Sequence, residues 1–301
     1  MDWQGVFPAI TTPFAADGAI DAAALAGHVR WMLDAGCRAV VPLGSLGEAN
    51  TLTAGEKRAV LEACVAAAGD RPIVAGIAAF STAEAVALAR TAEAAGCRGL
   101  MVLPPYVYRG DARETLAHYD AVIAATPLEC MLYNNPIAYG TDVTPPEIGL
   151  LAARHANLVA VKESSADIRR VTALRAALRE RIAVFVGVDD LIVEGIDAGA
   201  TGWIAGLVNA FPHESVELFA LATNGDRAAA LRLYAWFAPL LQLDTVPKFV
   251  QLIKLVQAQV GRGSERVRAP RLVLEGAERD AVVALVHARL AARPVPADTL
   301  R

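Results

Sequence analysis

The feature that most constrains this chain is an alternation repeated eight times. Short apolar runs, each the length of a buried strand, are separated by Ala-rich segments with helical periodicity. The runs are VFPAITTPF (6–14), AVVPLG (39–44), PIVAGIAA (72–79), GLMVLPP (99–105), ECMLYNNP (129–136), LVAVKES (158–164), AVFVGVD (183–189) and TGWIAGL (201–207). Strands that are apolar on both faces and divided by helices imply a parallel sheet with helices covering it. Eight such units within about 210 residues predict an α/β fold of the closed (β/α)8 (TIM) barrel type, which needs about 250 residues. An open Rossmann-like sheet is the alternative, but no G-x-G-x-x-G follows the first run.

Helix starts and stops support the alternation. Asp21 precedes AAALAGHVRWMLDAG, Thr53 with Glu56 and Ser81 with Glu84 match capping boxes, and Thr144 precedes Pro145. Three helix exits, DAGCRAVV (34–41), AAGCRGLMV (94–102) and DAGATGWIA (197–205), place a glycine just before a strand. Strand signals cease near residue 225, so the expected division is a barrel over 1–225 and a C-terminal helical extension over 226–301. Within that tail GRGSERVRAPR reads as a basic, glycine-punctuated linker, expected to be a solvated loop or a subunit contact.

The balance of charge, −4 over 301 residues, gives no reason to expect nucleic acid. No apolar run is long enough to span a bilayer, and the N-terminus lacks a basic region followed by an apolar core. A soluble, cytoplasmic chain with no membrane partner is therefore expected. Cys37, Cys64, Cys97 and Cys130 are widely spaced, which favours buried free thiols. The five histidines lie far apart, so neither a metal nor another cofactor is expected.

The chain uses arginine freely and lysine at only four positions: Lys57, Lys162, Lys248 and Lys254. Lys57 lies in a polar helix start, and Lys248 and Lys254 lie in an amphipathic tail helix where long stems can snorkel. Lys162 is inside a strand that should be buried on both faces, beside small Ala160. Burial there favours an uncharged amine, the nucleophile that makes a Schiff base with a carbonyl. A structural lysine paired with Glu163 or Asp189 is the competing reading. The loop GSLGE (44–48) could turn backbone N–H groups and the Ser45 hydroxyl toward a carboxylate. Tyr133, in YNNP, could shuttle protons if it faces the amine.

With these motifs the chain resembles the dihydrodipicolinate synthase / N-acetylneuraminate lyase family. The resemblance rests on GVFPAITTPF, GSLGE, LPPY, YNNP, VKESS, VGVDD and GATGWIAGLVN, in that order along nearly the whole chain. It implies a Schiff base on Lys162, acid/base work by Tyr133 relayed through Ser45, and substrate contacts at Gly44, Leu46, Gly47, Tyr106, Gly187 and Ile204. It also implies a homodimer or homotetramer acting on pyruvate or a related small molecule. Three departures narrow the substrate. Leu46 stands where the family has a second hydroxyl residue, and Ala138 stands where the synthases carry an arginine. Val107 replaces their second tyrosine, which leaves Tyr108 as a stand-in.

Members of the family lacking that arginine include sugar-acid aldolases and the deaminase of 1-pyrroline-4-hydroxy-2-carboxylate from hydroxyproline breakdown. The deaminase is the first expectation. A 2-oxo-3-deoxy sugar-acid aldolase or dehydratase comes second, then 4-hydroxy-tetrahydrodipicolinate synthase, then a barrel that binds without catalysing.

Overall fold

A computed structural model describes residues 1–294; the last seven residues of the expected tail lie outside the described residues. Seven parallel strands form one sheet in the order β1-β7-β6-β5-β4-β3-β2. They are β1 (Gly5–Pro8), β2 (Val74–Ile77), β3 (Gly99–Val102), β4 (Glu129–Asn134), β5 (Leu158–Glu163), β6 (Ala183–Val186) and β7 (Gly202–Ala205).

The eighth expected strand, 39–44, closes the cylinder through isolated bridges rather than a continuous ladder. Val41 bridges Ala9 and Val40 bridges Ile73, both in parallel. On one side Val41 N–H donates to Pro8 O at 2.8 Å and Val41 O accepts from Ile10 at 3.0 Å. On the other, Val40 O accepts from Val74 at 3.0 Å and Pro42 O accepts from Gly76 at 2.9 Å. Pairing stops there because Pro42 has no N–H to donate and Leu43 turns to φ +62°.

The cylinder is filled by Phe7, Val41, Val74, Met101, Met131, Ala160, Phe185 and Ile204, so it is a packed core and not a channel. A second, larger apolar layer lies between strands and helices.

Each expected start is capped, although Ser81 lacks the reciprocal bond from Glu84 that a capping box needs. Asp21 and Ser81 accept from the N–H three residues on, and Thr53 and Thr144 form capping boxes with Glu56 and Glu147. The three shared exits put Gly36, Gly96 and Gly199 at φ +103°, +91° and +101°, a region closed to side chains bearing a Cβ. The four thiols are buried and free, and burial alone pushes those of Cys37 and Cys97 up to about 12.

Three helices, Arg227–Leu241, Phe249–Gln259 and Gly276–Ala291, follow the last barrel helix, Pro212–Thr223. Two expectations for this tail change. The segment 261–271 is a strap across the end of the barrel that carries GSLGE. Arg266 donates to Phe14 O at 2.7 Å, and Arg268 donates to Gly18 O at 2.7 Å and to Glu56 at 2.6 Å. Lys254 does not snorkel. It is 2% exposed, and its amine reaches Glu48 at 2.5 Å, Arg266 O at 2.7 Å and Thr12 O at 2.9 Å. An apolar helix face turned to the core leaves a lysine no route to water, so it must bring its own acid.

Candidate active site

Lys162 lies on β5 with Tyr133 as its register partner on β4 and Phe185 on β6. Its phase in the strand is that of Ala160, which points into the barrel, so the amine enters the mouth at the C-terminal strand ends. Lys162 is 7% exposed, and Nζ sits 4.0 Å from the centroid of the Tyr133 ring. No carboxylate of the described residues approaches the amine within the 4.0 Å of an ion pair.

The two acids that could have neutralised Lys162 are held elsewhere. Glu163 points to the opposite face, where Arg170 at 3.3 Å, Asn134 at 3.2 Å and the Ser165 N–H at 2.7 Å bind it. Asp189, fully buried on the turn after β6, accepts from Trp203 Nε1 at 3.3 Å, Gly206 N–H at 3.1 Å and Leu207 N–H at 2.9 Å. Burial raises its pKa to about 7, against these donors and the charge of Lys162.

Gly187 explains why the amine has room. A Cβ at this position would overlap the Ser164 hydroxyl and lie 2.6 Å from Lys162 Cε. Ser164 Oγ is itself buried and has no hydrogen-bond partner. Ile204, on β7, belongs to the barrel interior beneath this mouth.

Ser45 and Tyr133 are brought together, but through a residue that the sequence reading did not single out. The Ser45 hydroxyl bonds the hydroxyl of Tyr139, on the one-turn helix Pro136–Tyr139. The Tyr139 ring stands edge-on to Tyr133 at 5.7 Å and 5.6 Å from Tyr106. Burial and the neighbouring Tyr133 raise the Tyr139 pKa well above that of a free phenol, so it holds its proton. Tyr133 accepts from Asn135 Nδ2 at 3.0 Å. The expected stand-in, Tyr108, does not take part: it is 58% exposed and donates to Glu114 at 3.1 Å. Tyr139 carried a faint signal, being the lone aromatic between β4 and the next long helix.

The loop after Val41 also differs in detail. Leu46 turns its side chain into the layer between strands and helices, with Leu43, Ala49 and Leu52, and not toward the mouth. An apolar side chain at the rim finds more burial in that layer. The backbone N–H groups of Ser45 and Leu46 donate to no acceptor among the described residues, which leaves them for an anion. Gly44 is buried against Met101, and Gly47 is pinned, its carbonyl accepting from Thr12 at 2.6 Å. The loop's last residue, Glu48, adopts φ +55° and receives Lys254, so the tail fixes the loop.

Among the described residues no group of three or more His, Cys, Asp or Glu could hold a metal ion. No helix among them is long and apolar enough to cross a membrane. A depression of about 650 Å³ at the N-terminal strand ends is lined by Met1, Asp70, Arg98 and Glu129. Its terminal ammonium is bound to Glu129 at 2.5 Å, and the thiol in its lining, Cys97, is 3% exposed and pushed up to about 12 by burial.

The geometry has clear counterparts. The family model described as the dihydrodipicolinate synthetase family matches residues 2–289. The chain is 32% identical over 291 residues to a 4-hydroxy-tetrahydrodipicolinate synthase from Agrobacterium fabrum, covering 96% of this chain and 99% of that one. Identity to the enzyme of the same name from Rhizobium meliloti is 33% over 292 residues, with the same coverage. A dihydrodipicolinate synthase from Bacillus anthracis superposes with a TM-score of 0.92 at 26% identity, over 96% of this chain and 99% of that one. The Escherichia coli K12 prophage protein YagE, solved in complex with pyruvate, superposes at 0.89 with 26% identity, over 95% and 98%. With fold and near full-length sequence in agreement, this chain belongs to the dihydrodipicolinate synthetase family.

Proposed function

We propose that this chain is a Schiff-base lyase whose nucleophile is Lys162 and whose substrate is a small 2-oxo acid or cyclic imino acid. The observation that carries the reading is the Lys162 amine at the barrel mouth. It has no carboxylate within ion-pair distance and lies 4.0 Å over the Tyr133 ring, with space opened by Gly187. A lysine so placed can attack a carbonyl or imine carbon, and Tyr133 is beside it to move protons. The pyruvate complex of YagE supports a 2-oxo acid. Ser45 Oγ and the free N–H groups of Ser45 and Leu46 would receive the substrate carboxylate.

Within this class we infer deamination of 1-pyrroline-4-hydroxy-2-carboxylate. The curated relatives carry the name of the synthase. Here the position at which the synthases bind a second carboxylate is Ala138, exposed and unable to pair with an anion. Losing a charge-assisted clamp costs a few kcal/mol of recognition. The cyclic imine needs no such clamp. Lys162 would bond C2 as the ring C–N bond breaks, the 4-hydroxyl would leave as water, and hydrolysis would release ammonia.

The test is a substrate panel with ammonia and pyruvate as readouts. Ammonia from the hydroxy-pyrroline supports the deaminase. Pyruvate from a 2-oxo-3-deoxy sugar acid, with no ammonia, would replace it with an aldolase. Consumption of pyruvate with aspartate semialdehyde would restore the synthase named for the relatives.

A further inference from the structure

The tail supplies an acid to the mouth of the barrel. Asp244 ends the one-turn helix Gln242–Asp244, between the tail helices Arg227–Leu241 and Phe249–Gln259. Its carboxyl lies on Gly206, just past β7. A Cβ at Gly206 would overlap Asp244 Oδ1 and come within 2.5 Å of Cγ. Gly206 is in phase with Gly202 and Ile204, and Ile204 faces the barrel interior. The side chain missing from position 206 therefore opens the mouth at β7, as Gly187 opens it at β6, and Asp244 takes that place. Lys162, Gly187 and Gly206 follow one another on neighbouring strands.

Asp244 Oδ1 is shielded from solvent and has no hydrogen-bond partner. Ser164 Oγ, 1% exposed at the same mouth, has none either. Unpaired buried polar atoms are rare, and two converging on one opening point to a ligand that satisfies them. Asp189 beside them is in the opposite state, with three donors on its carboxylate. Two acids this close do not both ionise, so the negative charge settles on Asp189 and the proton on Asp244. Burial, with the charges of Asp189 and Asp190, holds the Asp244 pKa well above the usual carboxylate range, against the opposing charge of Lys162.

We propose that Asp244 is the acid that hydrogen-bonds the substrate's C4 hydroxyl and protonates it as it leaves. The inference rests on the hydroxy-substrate reading above. From the enamine on Lys162, the nitrogen lone pair re-forms C2=N and the C2–C3 π pair moves to C3–C4. The C4–O bond breaks with its electrons on oxygen, and the Asp244 proton completes a water molecule. The Asp244 carboxylate then recovers a proton from solvent.

The experiment compares wild type, Asp244→Asn and Asp244→Ala on the hydroxy-pyrroline, on a 2-oxo-3-deoxy sugar acid and in borohydride capture of pyruvate, which has no distal hydroxyl. Both variants should lose at least about 100-fold in kcat on the hydroxylated substrate that wild type uses. Pyruvate capture on Lys162 should persist in both, which also reports intact folding. Turnover within about threefold of wild type in Asp244→Asn would overturn the inference while leaving the deaminase reading in place. Ammonia-free dehydration of the sugar acid by wild type, with the variant loss intact, would overturn the deaminase reading and keep the role of Asp244; pyruvate release from it instead, a cleavage that deprotonates the C4 hydroxyl, would overturn both. Equal loss of capture and turnover, or no turnover of either hydroxylated compound by wild type, would overturn the inference.

Discussion

At the scale of single residues, the mouth of the barrel depends on what is missing as much as on what is present. Gly187 leaves space for Lys162 and Ser164, so Gly187→Ala should abolish borohydride capture of pyruvate while thermal unfolding shifts by only a few degrees. Full capture in that variant would show that the space is not needed. Tyr139 links Ser45 to Tyr133, and Tyr139→Phe removes the link while keeping the ring. A fall in turnover of about 10²- to 10⁴-fold, with pyruvate capture retained, is the expected result. Unchanged turnover would assign the proton traffic to another group. The buried amine of Lys162 was readable because a lysine inside a doubly buried strand violates the local pattern. Tyr139 was barely readable and Asp244 not at all. Each breaks no local rule, and each gains its meaning from a contact made only when distant segments meet at the barrel mouth.

At the scale of elements, strands and helix exits were legible because each is set by a local pattern: doubly apolar runs, caps within four residues, and glycine at the exits. The 39–44 run was legible as apolar chain but not as bridges, since Pro42 and the turn at Leu43 decide how much of it pairs. The tail was legible as helices but not as a brace. Lys254 joins the helix Phe249–Gln259 to Glu48, whose carboxylate also accepts from the Arg268 N–H at 3.0 Å. Lys254→Met leaves a fully buried carboxylate short of its main partner. It should destabilise the fold by about 3–5 kcal/mol, measured by chemical denaturation. Pairing it with Glu48→Gln should recover much of the loss, because the unpaired charge is what costs most. Equal stability of wild type and Lys254→Met would mean that the strap, not the ion pair, holds the loop.

At the scale of the whole molecule, pH bears on stability through buried groups far from the mouth. His28 is 9% exposed, and its Nε2 meets Asn209 Oδ1 at 2.7 Å. Burial lowers its pKa below the ordinary 6.5, so the folded state resists the proton that the unfolded chain accepts. Its contribution is present above about pH 6.5 and is lost as pH falls below that value toward the lowered folded pKa. The melting temperature should therefore fall between pH 7 and pH 5, and His28→Gln should flatten that slope; an unchanged slope would place the acid sensitivity elsewhere. Phe80, Val107, Tyr108 and Ile137, 58–75% exposed, lie on segments beside Tyr106 and Tyr139. Large apolar side chains left this exposed favour self-association, so sedimentation at micromolar concentration should give a dimer or tetramer rather than a monomer. The functional reading depends on the chemistry of one amine. Treating the protein with pyruvate and borohydride and then mapping the modified peptide by mass tests it most directly. The account predicts a reduced adduct on Lys162, absent from Lys162→Ala. An unmodified Lys162, or an adduct on Lys57, Lys248 or Lys254 instead, would contradict it.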